Sequence, residues 1–278
     1  MTIRKIQQII AGQPATDGAG VKLIRSLGSA NHLRADPFLM LDAFSSENPD
    51  DYVAGFPSHP HRGFETVTYL LDGHMLHEDH LGNKGNLKSG GVQWMTAGRG
   101  IIHSEMPQQE NGRMRGFQLW INLPAKEKMK PAGYRDIQAE EIPVVELDGA
   151  KVKVIAGALG KTSGPVTGGT TDPIYWDVAL PGGKTFTRKI EGKTVYVYPF
   201  EGEIEVEDRV LNTHQGGVLG AGDTVSVKAG SDGARFLVLA AKPIGEPVVQ
   251  YGPFVMNTRQ EIEQAVRDYQ SGELTKAA

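Results

Sequence analysis

The 278-residue chain is 39% hydrophobic, 22% charged and 7% aromatic, with 35 glycines and 16 prolines. That composition excludes disorder or a coiled coil, and the length suits two modest domains or one large one. The formal charge is −4 and there is no cysteine, so disulfides, thiolate metal sites and cysteine nucleophiles are excluded and any metal site must use histidine and carboxylates.

The opening residues 1–11 mix charges and amides among few apolar side chains and lack the core of a signal peptide. No run reaches the roughly 18 to 20 uninterrupted apolar residues of a membrane helix, and no Lys/Arg cluster would track a phosphate backbone. The expected protein is soluble, cytoplasmic and monomeric, without membrane or direct nucleic-acid partners.

Period-two alternation predicts strands at 65–71, 92–97, 117–123, 151–155, 175–180, 194–198, 203–206, 224–227 and 235–239, each bounded by Gly, Pro, Asn or Asp. In 117–123, Phe117, Leu119, Ile121 and Leu123 share one face while Gln118, Trp120 and Asn122 share the other. Many short strands between turn signals indicate an all-β sandwich or barrel. Only the far C-terminus reads as helix: Ile262, Ala265, Val266 and Tyr269 follow i, i+3, i+4, i+7 spacing, Thr258 and Glu261 form a capping-box pattern, and Gly272 follows. This predicts a helix over 258–271 docked on a sheet.

The chain repeats itself. Residues 90–98 match 222–230 in their opening glycine, apolar positions and closing Ala-Gly, and 65–73 match 194–202. Two related β domains follow, with a hinge near 131–143, giving domains 1–135 and 136–278.

Six of the eight histidines lie between positions 59 and 103. Residues two apart on a strand share a face, so His59 and His61 can reach one ion, and His103 and Glu105 have the same spacing. Two adjacent strands presenting these pairs would offer three imidazoles and a carboxylate. Such a set suits Fe, Mn, Ni, Co, Cu or Zn and leaves positions open for a ligand, unlike a closed structural zinc. The bland alternative is histidines without a metal. His74, His77 and His80 are placed on the next strand and its turn, with surface or polar-network roles ahead of support for a ligand. His32 and His214 carry no functional expectation. Arg62, Arg99 and Arg115 read as ion-pair partners rather than as holders of an anionic substrate. Phe64, Trp94, Met106 and Trp120 read as core, with a pocket lining the rival. Carried across the repeat, His59, His61, His103 and Glu105 fall at Arg188, Ile190, Arg235 and Leu237, so only the first domain is expected to bind metal.

The blocks Asp36-Pro-Phe-Leu-Met-Leu-Asp42, His59-Pro-His-Arg-Gly-Phe-Glu-Thr66, Gln93-Trp-Met-Thr-Ala-Gly-Arg-Gly-Ile-Ile-His-Ser-Glu-Met-Pro107, Gly116-Phe-Gln-Leu-Trp-Ile-Asn-Leu-Pro124 and Gln250-Tyr-Gly-Pro-Phe-Val-Met-Asn-Thr258 resemble those of the pirins, members of the cupin superfamily. The resemblance spans nearly the whole chain. It implies two tandem cupin jelly-roll β-barrels with a C-terminal helix, and His59, His61, His103 and Glu105 as ligands of one metal ion, Fe(2+) before the other candidates. Glu65, where many cupins place their carboxylate ligand, is then a residue supporting the ligands. The resemblance also implies an iron-dependent dioxygenase that cleaves flavonols such as quercetin with dioxygen and releases carbon monoxide, with Glu105 as the base for the 3-hydroxyl. The alternatives are a metal-dependent, redox-sensing regulatory protein that binds a transcription factor or metabolic enzyme, and a hydrolase or isomerase using a metal-bound water.

Overall fold

The computed structural model describes residues 1–30 and 33–276; His32 lies outside the described residues. The all-β expectation holds, with one α-helix at the C-terminus. Two compact units are present. Where the sequence reads as two successive segments, packing interleaves them: one unit gathers Pro14–Arg25, Phe38–Ala139 and Ile244–Ala278, the other Met1–Gln13, Ser26–Pro37 and Glu140–Pro243.

The unit that carries the six clustered histidines is a two-layer jelly roll. Its larger sheet has the order Gly133–Ile137, Val92–Thr96, Phe64–Asp72, Met114–Asn122, Phe38–Ser46, Val21–Arg25 and Gln13–Asp17. Its smaller sheet has the order Phe56–His61, Ile101–Pro107, His74–Asp79 and Lys84–Lys88. Val21, Leu23, Phe44, Leu70 and Met114 from the first sheet close on Met75 and Leu87 from the second. Each such apolar side chain taken fully out of water contributes about 1.5 to 3 kcal/mol, which makes this shared core the main bond between the layers.

Local chemistry sets the hairpin that bears His77. His74–Asp79 pairs antiparallel with Lys84–Lys88, as the flanking glycines predict. Asp79 Oδ1 accepts the N–H groups of Leu81 at 2.9 Å and Asn83 at 3.1 Å, and Gly82 supplies a φ of 84°. An aspartate bonding the backbone ahead of it mimics a turn.

The other unit is one nine-stranded sheet system around a core that includes Trp176, Phe186, Val195, Phe236 and Ile6. Two pairs of expected strands are continuous here: 194–198 and 203–206 form Thr194–Val206, while 224–227 and 235–239 form Thr224–Ala241. The turn signals between them are absorbed as irregularities in the pairing around Gly202. A Cβ on Gly202 would lie 2.2 Å from the Gly233 carbonyl oxygen, so this glycine marks a close backbone approach rather than a turn.

The C-terminal helix, Arg259–Gln270, starts at Thr258 with the full capping box, and buries Ile262 and Ala265. These pack with Phe254, Met256 and Leu274, which fastens the helix to its own unit. Among the described residues, no helix is long and apolar enough to cross a membrane.

Candidate metal centre

Phe56–His61 and Ile101–Pro107 are neighbours, and their pairing brings His103 opposite His59 and Ile101 opposite His61. The register slips by one residue between His103 and Glu105, because Pro57 and Ser58 oppose Ser104 alone. The Pro57 carbonyl accepts from His59 Nδ1 at 2.8 Å. A carbonyl can only accept, so the proton of His59 sits on Nδ1 and its Nε2 is bare.

His59, His61 and His103 form a group whose donor atoms lie within 4.8 Å of one another. The ring centroids are 4.4 Å apart for His59 and His103, 4.7 Å for His59 and His61, and 4.9 Å for His61 and His103. His61 and His103 are buried, at 3% and 2% exposure. Neither nitrogen of His61 nor Nε2 of His103 has a hydrogen-bond partner in good geometry among the described residues. Burial pushes both imidazoles well below the usual histidine range; neighbouring imidazoles push the same way, and the Pro253 carbonyl opposes this only in part at His61. Buried, neutral and unsatisfied nitrogens converging on one point are costly unless a cation occupies that point, so the donor set fits a borderline divalent metal.

Glu105 stands apart from that group. It is 3% exposed. Thr68 Oγ1 lies 2.8 Å from its Oε1, and Gln118 Nε2 donates to its Oε2 at 3.3 Å. Thr68 and Gln118 sit on the larger sheet and tether the carboxylate there. Sequence reasoning did not single them out; their signal was a polar side chain inside each of two strongly apolar strands. Glu65 turns elsewhere, accepting from Thr96 Oγ1 at 2.6 Å and Trp94 Nε1 at 3.3 Å.

His77, also placed only in general terms by the sequence, packs directly behind His103, with Nδ1 to Nδ1 at 3.3 Å. His74 pairs with Asn86 on the hairpin, and His80 Nδ1 accepts the Ile102 N–H. The ion-pair reading of Arg62 holds: the buried guanidinium meets Asp268 Oδ2 at 2.7 Å and the Arg99 carbonyl.

A cavity of about 550 Å³ reaches the cluster, lined by His59, His61 and Glu105 and by Met40, Phe44 and Trp120. Phe64 is fully buried behind it, with its ring 5.1 Å from His61 and 4.3 Å from Trp120. The charged groups in the wall, Arg25 and Asp42, form a two-point pair at 2.8 and 2.6 Å, and Asp17 adds a third contact to Arg25 at 2.6 Å. Their charges are spent on one another, so the cavity offers a ligand apolar surface and imidazoles rather than a free cation.

Comparison with known proteins identifies the family. The Pirin family model matches residues 20–121, and the model of the Pirin C-terminal cupin domain matches residues 175–275. The chain belongs to the pirin family. This pirin is 56% identical over 280 residues to a Pseudomonas aeruginosa protein named as a candidate quercetin 2,3-dioxygenase, covering 98% of each chain. It is 41% identical over 277 residues to human pirin, covering 96% of this chain and 93% of that one. A crystal structure of quercetin 2,3-dioxygenase from Acinetobacter baumannii superposes with a TM-score of 0.91 at 36% identity, covering 98% of each chain. The two jelly rolls of this pirin are therefore cupin domains.

Proposed function

We propose that this pirin is an iron-dependent dioxygenase that cleaves flavonols such as quercetin with release of carbon monoxide, using His59, His61, His103 and Glu105 as metal ligands and Glu105 as the base. The observation that carries the proposal is the cluster of three imidazoles with buried unsatisfied nitrogens, of which His59 and His61 line one ligand-sized cavity together with the Glu105 carboxylate. A cavity of about 550 Å³ is within the range of small-molecule sites. A bound iron would supply the Lewis acidity and one-electron chemistry that a reaction with dioxygen requires.

The chain's own residues supply the rest. Trp120, backed by the buried Phe64, gives the cavity an aromatic wall that suits an aromatic ring system and excludes water from the reacting face. The internally paired Arg25 leaves no free cation there for a strongly anionic substrate. Glu105 is placed to accept the 3-hydroxyl proton, with Thr68 and Gln118 holding the receiving carboxylate. The names of the Pseudomonas and Acinetobacter proteins support this choice of substrate.

The test is anaerobic reconstitution with Fe(II), metal quantification, then quercetin and oxygen while flavonol loss and carbon monoxide are followed, with His61→Ala as control. Turnover with stoichiometric carbon monoxide, absent in the control, is expected. Tight iron binding without turnover would overturn the quercetin-cleaving reading and point to another substrate or to a regulatory protein that binds a transcription factor or metabolic enzyme.

A further inference from the structure

Behind the three imidazoles runs a second, fully buried line of polar groups. Asp79 faces His103 across the paired strands, and His77 faces Glu105. His77 Nε2 lies 3.2 Å from Asp79 Oδ2, and the two side chains are 1% and 0% exposed. On its other side, His77 Nδ1 is 3.3 Å from His103 Nδ1. Tyr134 stacks flat on the His77 ring, with centroids 4.1 Å apart and planes 14° apart, which fixes the ring plane.

The direction of each hydrogen bond in this line follows from what Asp79 can do. Its carboxylate accepts the N–H groups of Leu81 and Asn83 at Oδ1 and the Asn83 side-chain amide at Oδ2, at 2.9 to 3.1 Å. Surrounded by donors, it is an ionised acceptor, so the contact to His77 Nε2 needs the proton on that nitrogen. In neutral His77, Nδ1 is then a bare acceptor. Two bare nitrogens cannot make the 3.3 Å contact, so His103 must carry its proton on Nδ1 and leave Nε2 bare.

We propose that Asp79 and His77 are positioning residues that fix the tautomer of His103, so that its Nε2 lone pair is presented to the metal. The inference rests on the reading that His59, His61 and His103 bind an ion. It complements His59, whose Nδ1 proton is held by the Pro57 carbonyl to the same effect. Free histidine favours the opposite tautomer, with the proton on Nε2, which could not ligate through that atom. A partner on the far nitrogen removes that competition, and losing such partners typically costs about 10- to 100-fold in metal affinity.

The experiment begins with imidazole ¹⁵N NMR of the metal-free full-length protein at neutral pH. His103 is expected as the Nδ1–H tautomer and His77 as the Nε2–H tautomer. Asp79→Asn is the matching variant: its amide oxygen keeps the turn N–H groups, while its amide nitrogen replaces Oδ2 and donates to His77 Nε2 and, once the Asn83 side-chain amide turns over, to Asn83 Oδ1. Both tautomers should then reverse, and Fe(II) affinity from anaerobic chelator competition should weaken about 10- to 100-fold while the circular dichroism spectrum stays the same. A proton on Nε2 of His103, protons on both nitrogens of His77, or unchanged Fe(II) affinity in Asp79→Asn would each overturn the inference. The wild-type NMR result decides even if the variant does not fold. A wild-type chain that binds no Fe(II) overturns the inference together with the metal reading. Expected tautomers and weakened binding in a chain that leaves quercetin intact would sustain the inference while the quercetin-cleaving reading falls.

Discussion

Three imidazole rings with centroids less than 5 Å apart cannot all take up a second proton without strong mutual repulsion, and burial adds to that cost at His61 and His103. In the unfolded chain both titrate near 6.5, whereas in the fold both are pushed well below it. The unfolded chain therefore binds more protons than the fold in the window below 6.5, and stability rises with pH there. Metal-free protein is expected to lose melting temperature as the pH falls from 7 toward 5, and His61→Leu to show a shallower loss. Equal slopes in thermal unfolding curves across that range would refute this. Glu105 makes a separate prediction. Glu105→Gln keeps the size of the side chain and a hydrogen-bond partner for Thr68 and Gln118, but removes the base. Flavonol turnover should fall by about 10²- to 10⁴-fold with iron still bound, measured as the turnover rate per iron. Unchanged turnover per iron would assign the proton to another acceptor.

At the scale of elements, the strand that ends at His61 is clamped on its far side. Gly63 turns the chain with a φ of 93°, and a Cβ there would lie 2.0 Å from the Val255 carbonyl oxygen, so the turn is pressed against Phe254–Met256. Lys128 donates to the carbonyls of Gly63 and Val255 and to Asn122 Oδ1 at 2.6 to 2.9 Å, and Arg62 reaches Asp268 on the helix. Asp268→Ala leaves a buried guanidinium without its carboxylate and is expected to cost about 2 to 4 kcal/mol, less than a fully buried pair because Asp268 is partly exposed. Thr258→Ala removes only the helix cap, for about 1 kcal/mol. Chemical denaturation of the two variants should show that order; the reverse would mean that the helix is held by its apolar face alone. The cap, the helix and the alternating strands were legible because their signals are local. His77 and Asp79 were not, although they share the same i, i+2 spacing as the two ligand pairs. Their meaning lies in His103 on the neighbouring strand, which sequence spacing does not give.

At the scale of the whole molecule, the repeat was legible as two β domains because glycine and apolar positions recur, but the exchange of segments between the units was not. Ile6–Ala11 belongs with Gln215–Leu219 through a pairing more than 200 residues apart, and nothing local to either strand specifies it. The repeat also makes a chemical claim about the second domain. The positions carried over from the ligands are Arg188, paired with Asp148 at 3.1 Å; Ile190 and Leu237, both in the core; and Arg235, bound to Asp177 through two contacts at 2.6 and 2.9 Å. Strand pairing corrects that carry-over: Thr185–Lys189 lies against residues 224–228 as Phe56–His61 lies against Ile101–Pro107, so the counterpart of the His103 strand is 224–228 rather than the segment of Arg235 and Leu237, and neither of these two strands carries a histidine. Among the described residues, no second cluster of three potential ligands accompanies His59, His61 and His103. One metal ion per chain is therefore expected by elemental analysis. Arg188→Ala should leave that stoichiometry unchanged and cost at most about 1 kcal/mol, since its partner carboxylate is exposed to water. Two ions per chain, or loss of the ion from Arg188→Ala, would show that the second domain has kept a part in the chemistry which its residues otherwise indicate it has given up.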